Sequence, residues 1–237
     1  MNMNNKNKKS IDELLKAYAL LVRGIEGEAN QNNDRAYGGV VRAGKGILVE
    51  SIAKRLVEIA WLDLGKNTKE FSLERSVARI PIKPEYLDRI KNQEVRDYIR
   101  KNISRYYYPM KTDVHISIGG DFVMAIECKA YAENAMLKRI LVDFTLLKQI
   151  YPNLSFVLFQ LESQLGGDYS KIGGIKYGSP STHTLLSYFD IDLHIITLLE
   201  GERKVDKPIH KKAHYKELKK ESLIAAMNVF KDILRKI

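Results

Sequence analysis

The chain has a single cysteine, Cys128, so no internal disulfide can form, and an oxidising compartment is not called for. No window approaches eighteen consecutive apolar residues, which excludes a membrane-spanning helix. The first nine residues are polar and lysine-bearing, with no apolar signal core. They read as a disordered tail, and cytoplasmic residence is the expectation. Balanced charge is also lacking. The net charge is +10 over 237 residues, but the excess sits at the ends: Lys6, Lys8 and Lys9 have no acid nearby, and residues 201–237 hold eleven Lys/Arg against five Asp/Glu. Total charge is therefore a weak argument for a polyanionic partner. The local run Arg203, Lys204, Lys207, Lys211, Lys212, Lys216, Lys219 and Lys220 is the better candidate for touching phosphates.

What the chain does contain is one informative stretch. Pro109-Met110-Lys111-Thr112-Asp113 precedes two alternating runs, Val114 to Ile118 and Phe122 to Lys129, separated by Gly119 and Gly120. Period-two alternation around a glycine turn predicts a β-hairpin. In the second run Phe122, Met124, Ile126 and Cys128 share one face, and Val123, Ala125, Glu127 and Lys129 the other. With a three-residue loop Gly119-Gly120-Asp121, Asp113 falls directly opposite Glu127. Two carboxylates that close repel, so one is pushed toward its protonated form unless a cation intervenes. A hard divalent cation resolves the conflict, and magnesium typically takes one or two carboxylates plus water and phosphate oxygens. Lys129 beside it is placed to orient or deprotonate a water attacking a phosphodiester. The bland alternative is a solvated hairpin with an ordinary salt bridge.

Elsewhere, Ser10-Ile11-Asp12-Glu13 reads as a capping box opening a helix that carries Leu14, Leu15, Tyr18, Leu21, Val22 and Ile25. A loop is expected over 27–39 and a helix from about Gly46 to Leu64 with Glu50 near its first turn. The region 66–90 is mixed, and 85–105 is a charged helical stretch ending in Tyr106-Tyr107-Tyr108. After the hairpin come a helix from about Asn134 to Ile150, a buried strand over 154–161, a glycine-rich loop over 166–180, a short helix near 182–188, a strand near 191–199 and a closing helix near 214–236. The order α, α, β, β, α, β, α, β, α predicts an α/β fold: a mixed central β-sheet flanked by helices on both faces, in a single domain over 10–237.

Asp and Glu-x-Lys on such a hairpin, between two helices and followed by a further strand, resemble the PD-(D/E)XK nuclease superfamily. Residues 46–161 follow its restriction-endonuclease-like core order. The segments Arg42 to Glu50, Gly178 to Thr184 and Leu198 to Arg203 are similar to stretches of type II restriction endonucleases. The resemblance implies a sequence-specific endodeoxyribonuclease that needs Mg2+, leaves 5′-phosphate and 3′-hydroxyl ends, and acts as a homodimer on double-stranded DNA, with a cognate DNA methyltransferase as genetic partner. It implies Asp113 and Glu127 as metal ligands with the Cys128 carbonyl as a third, Lys129 acting on the water, and Glu50 supporting the site from the preceding helix. Pro109 departs from the family pattern, in which the proline adjoins the aspartate. Candidate DNA contacts are Arg42, Lys45, Asn134, Lys138 and Arg139, with Lys171 and Lys176 in the glycine-rich loop. The alternatives are a structure-selective repair or junction-resolving nuclease and a catalytically decayed DNA-binding module.

Several features have plainer readings. Gly39 to Gly46 is nearly a P-loop but lacks the closing Ser/Thr. His210 and His214 stand four apart without further zinc ligands and read as surface histidines. His115 shares the Asp113 face as a structural or supporting histidine. The tyrosine run is expected to pack under the hairpin, and Gln160 and Glu162 approach the cleft from the third core strand. Leu218, Ile224, Met227, Phe230 and Leu234 suit either the chain's own core or a second subunit.

Overall fold

The computed structural model describes residues 5–29, 35–74, 76–167, 179–209 and 211–237. In chain order the elements are α1 (Asn5–Ala29), α2 (Arg35–Asp63), β1 (Phe71–Glu74), β2 (Val77–Pro81), α3 (Pro84–Leu87), α4 (Gln93–Lys101), β3 (Tyr107–Lys111), β4 (Val114–Ile118), β5 (Asp121–Glu133), α5 (Asn134–Ile150), β6 (Ser155–Gln164), α6 (Pro180–Ser187), β7 (Leu193–Thr197) and α7 (Lys220–Leu234). Five strands form one sheet in the order β1-β4-β5-β6-β7, and β2 and β3 form a separate antiparallel pair. The β1–β4 and β4–β5 pairs are antiparallel, whereas β5–β6 and β6–β7 are parallel. The sheet is therefore mixed, as the element order predicted.

Each face of the sheet is covered by its own apolar cluster. On one side Val49, Ile52 and Leu56 of α2 and Leu223, Met227 and Phe230 of α7 pack with Ile126, Cys128, Val157 and Phe159. On the other, Leu137, Ile140, Leu141 and Phe144 of α5 pack with Ala125, Phe156 and Leu158. The β6 strand alternates between the two clusters, which is why its sequence is a near-continuous apolar run. The apolar face of α7 is consumed within this core rather than left for a second subunit.

The structure corrects several element boundaries. The α1 helix already includes residues 5–9, read above as tail, while 1–4 lie outside the described residues. Ser10 is thus inside the helix rather than capping it, and its buried hydroxyl accepts a 2.9 Å hydrogen bond from Arg55 on α2. The α2 helix starts at Arg35, so the expected loop over 27–39 shrinks and the near P-loop Gly39 to Gly46 is helical. Packing along α2 outweighs the glycine penalty of about 1 kcal/mol each. The charged stretch 85–105 is two short helices, α4 being capped by the Asn92 side chain accepting from the Val95 amide. The tyrosine run feeds β3 of the small sheet. Tyr107 and Tyr108 are exposed there instead of packing under the hairpin, and the Arg79 guanidinium stacks 4.6 Å over Tyr107. β5 continues through Glu133, four residues beyond Lys129.

Candidate active site

The hairpin is built by a compensation. Ile118 pairs with Asp121, so the turn is the two residues Gly119 and Gly120. Their φ values of 60° and 93° are those of a type I′ turn, which a side chain would strain. Ile116 pairs with Met124 but Ser117 with Phe122, so Val123 is the extra residue of a bulge. The shorter turn shifts the register by one and the bulge shifts it back. Val114 therefore pairs with Ile126, and Asp113 stands across from Glu127 as the alternation predicted.

Three oxygens meet at one cation there. The Lys129 ammonium lies 2.7 Å from Glu127 Oε2, 3.1 Å from Asp113 Oδ2 and 3.2 Å from the Cys128 carbonyl oxygen. Asp113 Oδ2 also accepts a 2.8 Å hydrogen bond from the Cys128 amide, which fixes the carboxylate to the strand. Burial pushes the Glu127 carboxyl up to about 7; Lys129 pulls it down and Asp113 adds to the rise. Burial works to lower the Lys129 pKa, but Glu127 and then Asp113 more than reverse this and hold it above the ordinary lysine value. The Cys128 thiol is pushed well up by burial, with Asp113 and Glu127 adding to it. It remains a protonated thiol against the α2 side of the sheet, and only its backbone faces the carboxylates.

The ammonium marks where a positive charge is favourable, so the donor set can be judged from it. Two carboxylates and one carbonyl are hard oxygen donors, which suit magnesium rather than a thiolate- or imidazole-seeking metal. Among the described residues no group of three or more His, Cys, Asp or Glu side chains converges as a metal cage. That fits an ion that keeps waters and takes further oxygens from a substrate. A pocket of about 320 Å³ opens beside Asp113, lined by Ser76, Val77, Lys111 and Thr112.

The other expected site residues scatter. Glu50 is held by Lys54 at 2.7 Å on α2 and is near enough to the Cys128 thiol to add to the rise in its pKa. Asn134 has both ends of its amide engaged: Thr182 Oγ1 donates to its oxygen at 2.6 Å, and its nitrogen reaches Ser181 at 3.3 Å. It clasps the start of α5 to the start of α6. Lys138 and Arg139 are exposed on α5. Lys45 is half-buried; burial lowers its pKa, against the pull of Glu162 and with the push of Arg203. The Arg42 side chain, Lys171, Lys176 and His210 lie outside what the structure describes.

The basic run 203–220 is not one open patch. Arg203 stacks 3.8 Å over the Tyr131 ring and donates to Gln164. Lys216 meets Glu162 at 3.0 Å, Lys219 meets Glu200 at 2.8 Å, and Lys220 meets Asp12 at 2.6 Å. His115 is buried and stacks on Phe122 at 3.4 Å, lining a groove of about 710 Å³ at the turn end of β4. Sequence reasoning missed Asp143. Burial raises its pKa, while Arg139 and Lys129 both pull it down. Its position four residues after Arg139 was the available signal.

No family model matches the chain. It is 49% identical over 209 residues to the type II restriction enzyme DdeI of Desulfomicrobium norvegicum (strain DSM 1741 / NCIMB 8310), an alignment covering 87% of each chain. Among solved structures it is similar to the native A2B2 tetramer of BbvCI, with 12% identity and a TM-score of 0.38 across 98% of this chain and 90% of that one. A likeness that weak has no bearing on the fold.

Proposed function

The chain belongs to the type II restriction enzymes, and from that premise we propose that Asp113, Glu127 and Lys129 are the catalytic group with which it cuts double-stranded DNA at a defined sequence. The observation that carries the assignment is the convergence of Asp113 Oδ2, Glu127 Oε2 and the Cys128 carbonyl on one cationic point. Membership makes the chain a site-specific deoxyribonuclease that relies on a divalent cation; magnesium as that cation is part of the proposal, and these three oxygens would hold it.

When bound, the cation supplies positive charge opposite the scissile phosphate and eases deprotonation of water. Asp113 is oriented for its part by the Cys128 amide. Glu127 must shed the proton that burial favours, so the site works best ionised, above about pH 7. Lys129 reaches both carboxylates from the same strand face and places its ammonium where it orients the attacking water and later steadies charge on phosphate oxygen. The water oxygen bonds to phosphorus in line, the bond from phosphorus to O3′ breaks, and the products are a 5′-phosphate and a 3′-hydroxyl.

The remaining parts of the reading are coarser. Lys138 and Arg139, exposed on the helix that follows the catalytic strand, are proposed as contacts to the DNA backbone, and Glu50 as support from α2. A two-fold DNA site favours a homodimer. A methyltransferase of matching specificity would protect the host's DNA, and a cytoplasmic enzyme is what this role requires. Among the described residues no helix is long and apolar enough to cross a membrane. Digestion of phage and plasmid DNA with Mg2+ and with EDTA tests the proposal. Discrete fragments only with Mg2+ are expected; smearing would support a structure-selective nuclease, and intact DNA a binding module.

A further inference from the structure

Beside Lys129 on the next strand stands a buried amide of which only one end is paired among the described residues. Lys129 on β5, Gln160 on β6 and Thr197 on β7 pair in one row and therefore share a face. Gln160 is completely buried. Its amide nitrogen donates to Thr197 Oγ1 at 2.9 Å, but its carbonyl oxygen Oε1 has no donor among the described residues. On the same face of β6 the position before Gln160, Leu158, is apolar, and the position after it, Glu162, is a buried carboxylate met by Lys216 at 3.0 Å, whereas Gln160 Oε1 meets no such cation among the described residues. A buried amide oxygen without a donor is unfavourable. Turning the amide over would leave its NH2 end without a partner instead, so either orientation leaves one buried polar end of Gln160 unmet.

The candidate donor is the neighbouring amine. The Lys129 ammonium turns toward β4 and occupies the point between Asp113, Glu127 and the Cys128 carbonyl. Asp113, Glu127 and the Cys128 carbonyl would hold a divalent cation at that same point, and the ammonium would then have to leave it. The lysine stem is flexible and the amine needs an acceptor within its reach. We infer that Gln160 is a positioning residue for Lys129: its buried Oε1 receives the displaced ammonium and keeps it beside the attacking water. The inference rests on the assignment of Asp113, Glu127 and Lys129 made above. It gives the orphaned oxygen a role and makes Lys129 an amine with two resting points, one on each neighbouring strand.

The test is calcium binding to the intact, DNA-free protein by titration calorimetry, since calcium seeks the same oxygens. Lys129→Met removes the competing ammonium and should bind calcium more tightly than the wild type. Gln160→Met keeps the volume but removes the second resting point, and should weaken calcium binding about tenfold. The double variant should match Lys129→Met, because Gln160 acts only through Lys129. Wild-type affinity in Gln160→Met, or an equal weakening in the Lys129→Met background, overturns the inference. Should Gln160→Met not fold, Thr197→Val releases the amide anchor instead. It should weaken calcium binding a few-fold only when Lys129 is present, and any other result overturns the inference. Plasmid digestion with Mg2+ by Asp113→Asn separates the two levels. Cutting by that variant would remove the catalytic assignment itself, whereas its inactivity with unchanged calcium binding in Gln160→Met removes the role of Gln160 alone.

Discussion

Glu127→Gln should make the cation-free protein more stable at pH 8 while leaving its stability near pH 4.5 unchanged. Glu127 sits at about 7 in the folded chain, against 4.5 for an ordinary glutamate. Below 4.5 the carboxyl is protonated in both states and contributes nothing. Between 4.5 and 7 the unfolded chain releases the proton and the folded chain keeps it, so stability falls as pH rises. Above 7 both states are ionised and the whole penalty is present. At about 1.4 kcal/mol per pH unit the gap corresponds to about 3 kcal/mol. The Glu127 side chain is 13% exposed and its partner Lys129 31% exposed. Solvent screening at that level reduces the expected figure to roughly 2 kcal/mol.

Urea unfolding in EDTA, repeated from pH 4.5 to 8.5 on wild type and Glu127→Gln, reads this directly. The two curves of stability against pH should coincide at the acid end and separate through pH 7, the variant lying above. A constant offset across the range would refute the reasoning, since it would mean that Glu127 ionises normally and the substitution acts through packing. A variant less stable at pH 8 would refute it more strongly, because the ion pair with Lys129 would then outweigh burial.

Asp113→Asn and Lys129→Ala should each lower single-turnover DNA cleavage about 10²-fold or more, the scale for removing one preorganised charge; near wild-type rates in either exclude the assigned roles. Calcium binding should displace the Glu127 proton, so affinity should fall about tenfold per pH unit below pH 7 and level off above it; calorimetry at pH 6, 7 and 8 checks this, and a flat profile contradicts it. Gly166→Ala should lower stability by roughly 2 kcal/mol, because Gly166 has φ +80° and an added Cβ would meet the Ser179 backbone nitrogen at 2.7 Å. Urea unfolding checks it, and an unchanged midpoint would show that the junction between β6 and α6 gives way.

The trio was legible because strand alternation is a local rule. Which residues share a face follows from parity, and Asp113 opposite Glu127 followed from one assumed loop. The turn itself was misjudged by one residue, and the Val123 bulge restored the pairing; nothing in the sequence at Val123 announces it. Boundaries were lost where distant contacts override local signals. Ser10 looks like a cap until Arg55 is seen to use its hydroxyl. The short strands β1, β2 and β3 were missed because four or five residues are too few to show a period, and Pro109 sits inside β3. The fate of the basic residues was hidden for the same reason. Lys220 with Asp12 and Lys231 with Asp63 join residues far apart in the chain, and each such pair removes a lysine from the surface available to phosphate. The clasp of Asn134 to α6 was equally invisible in the sequence, because its partner Thr182 is likewise remote.

The same burial that makes the site awkward also makes it selective. Asp113 and Glu127 face each other where solvent screens them incompletely, so the pair needs positive charge, and three sources can supply it: the Lys129 ammonium, a proton on Glu127, or a divalent cation. All three address the same oxygens and exclude one another in part. Near pH 7 the proton is about to leave, since Glu127 is held at about that value, and the ammonium remains as the resident charge. A lysine that both guards the carboxylates and acts in the reaction must have somewhere to move, or it would block the cation it works beside. A solvated salt bridge has no such requirement, because either partner can turn into water. The buried Gln160 oxygen on the next strand, without a donor among the described residues, therefore bears on the trio as well as on Gln160 itself. A core that tolerates an unsatisfied amide in register with an ammonium is arranged around a second position for that ammonium.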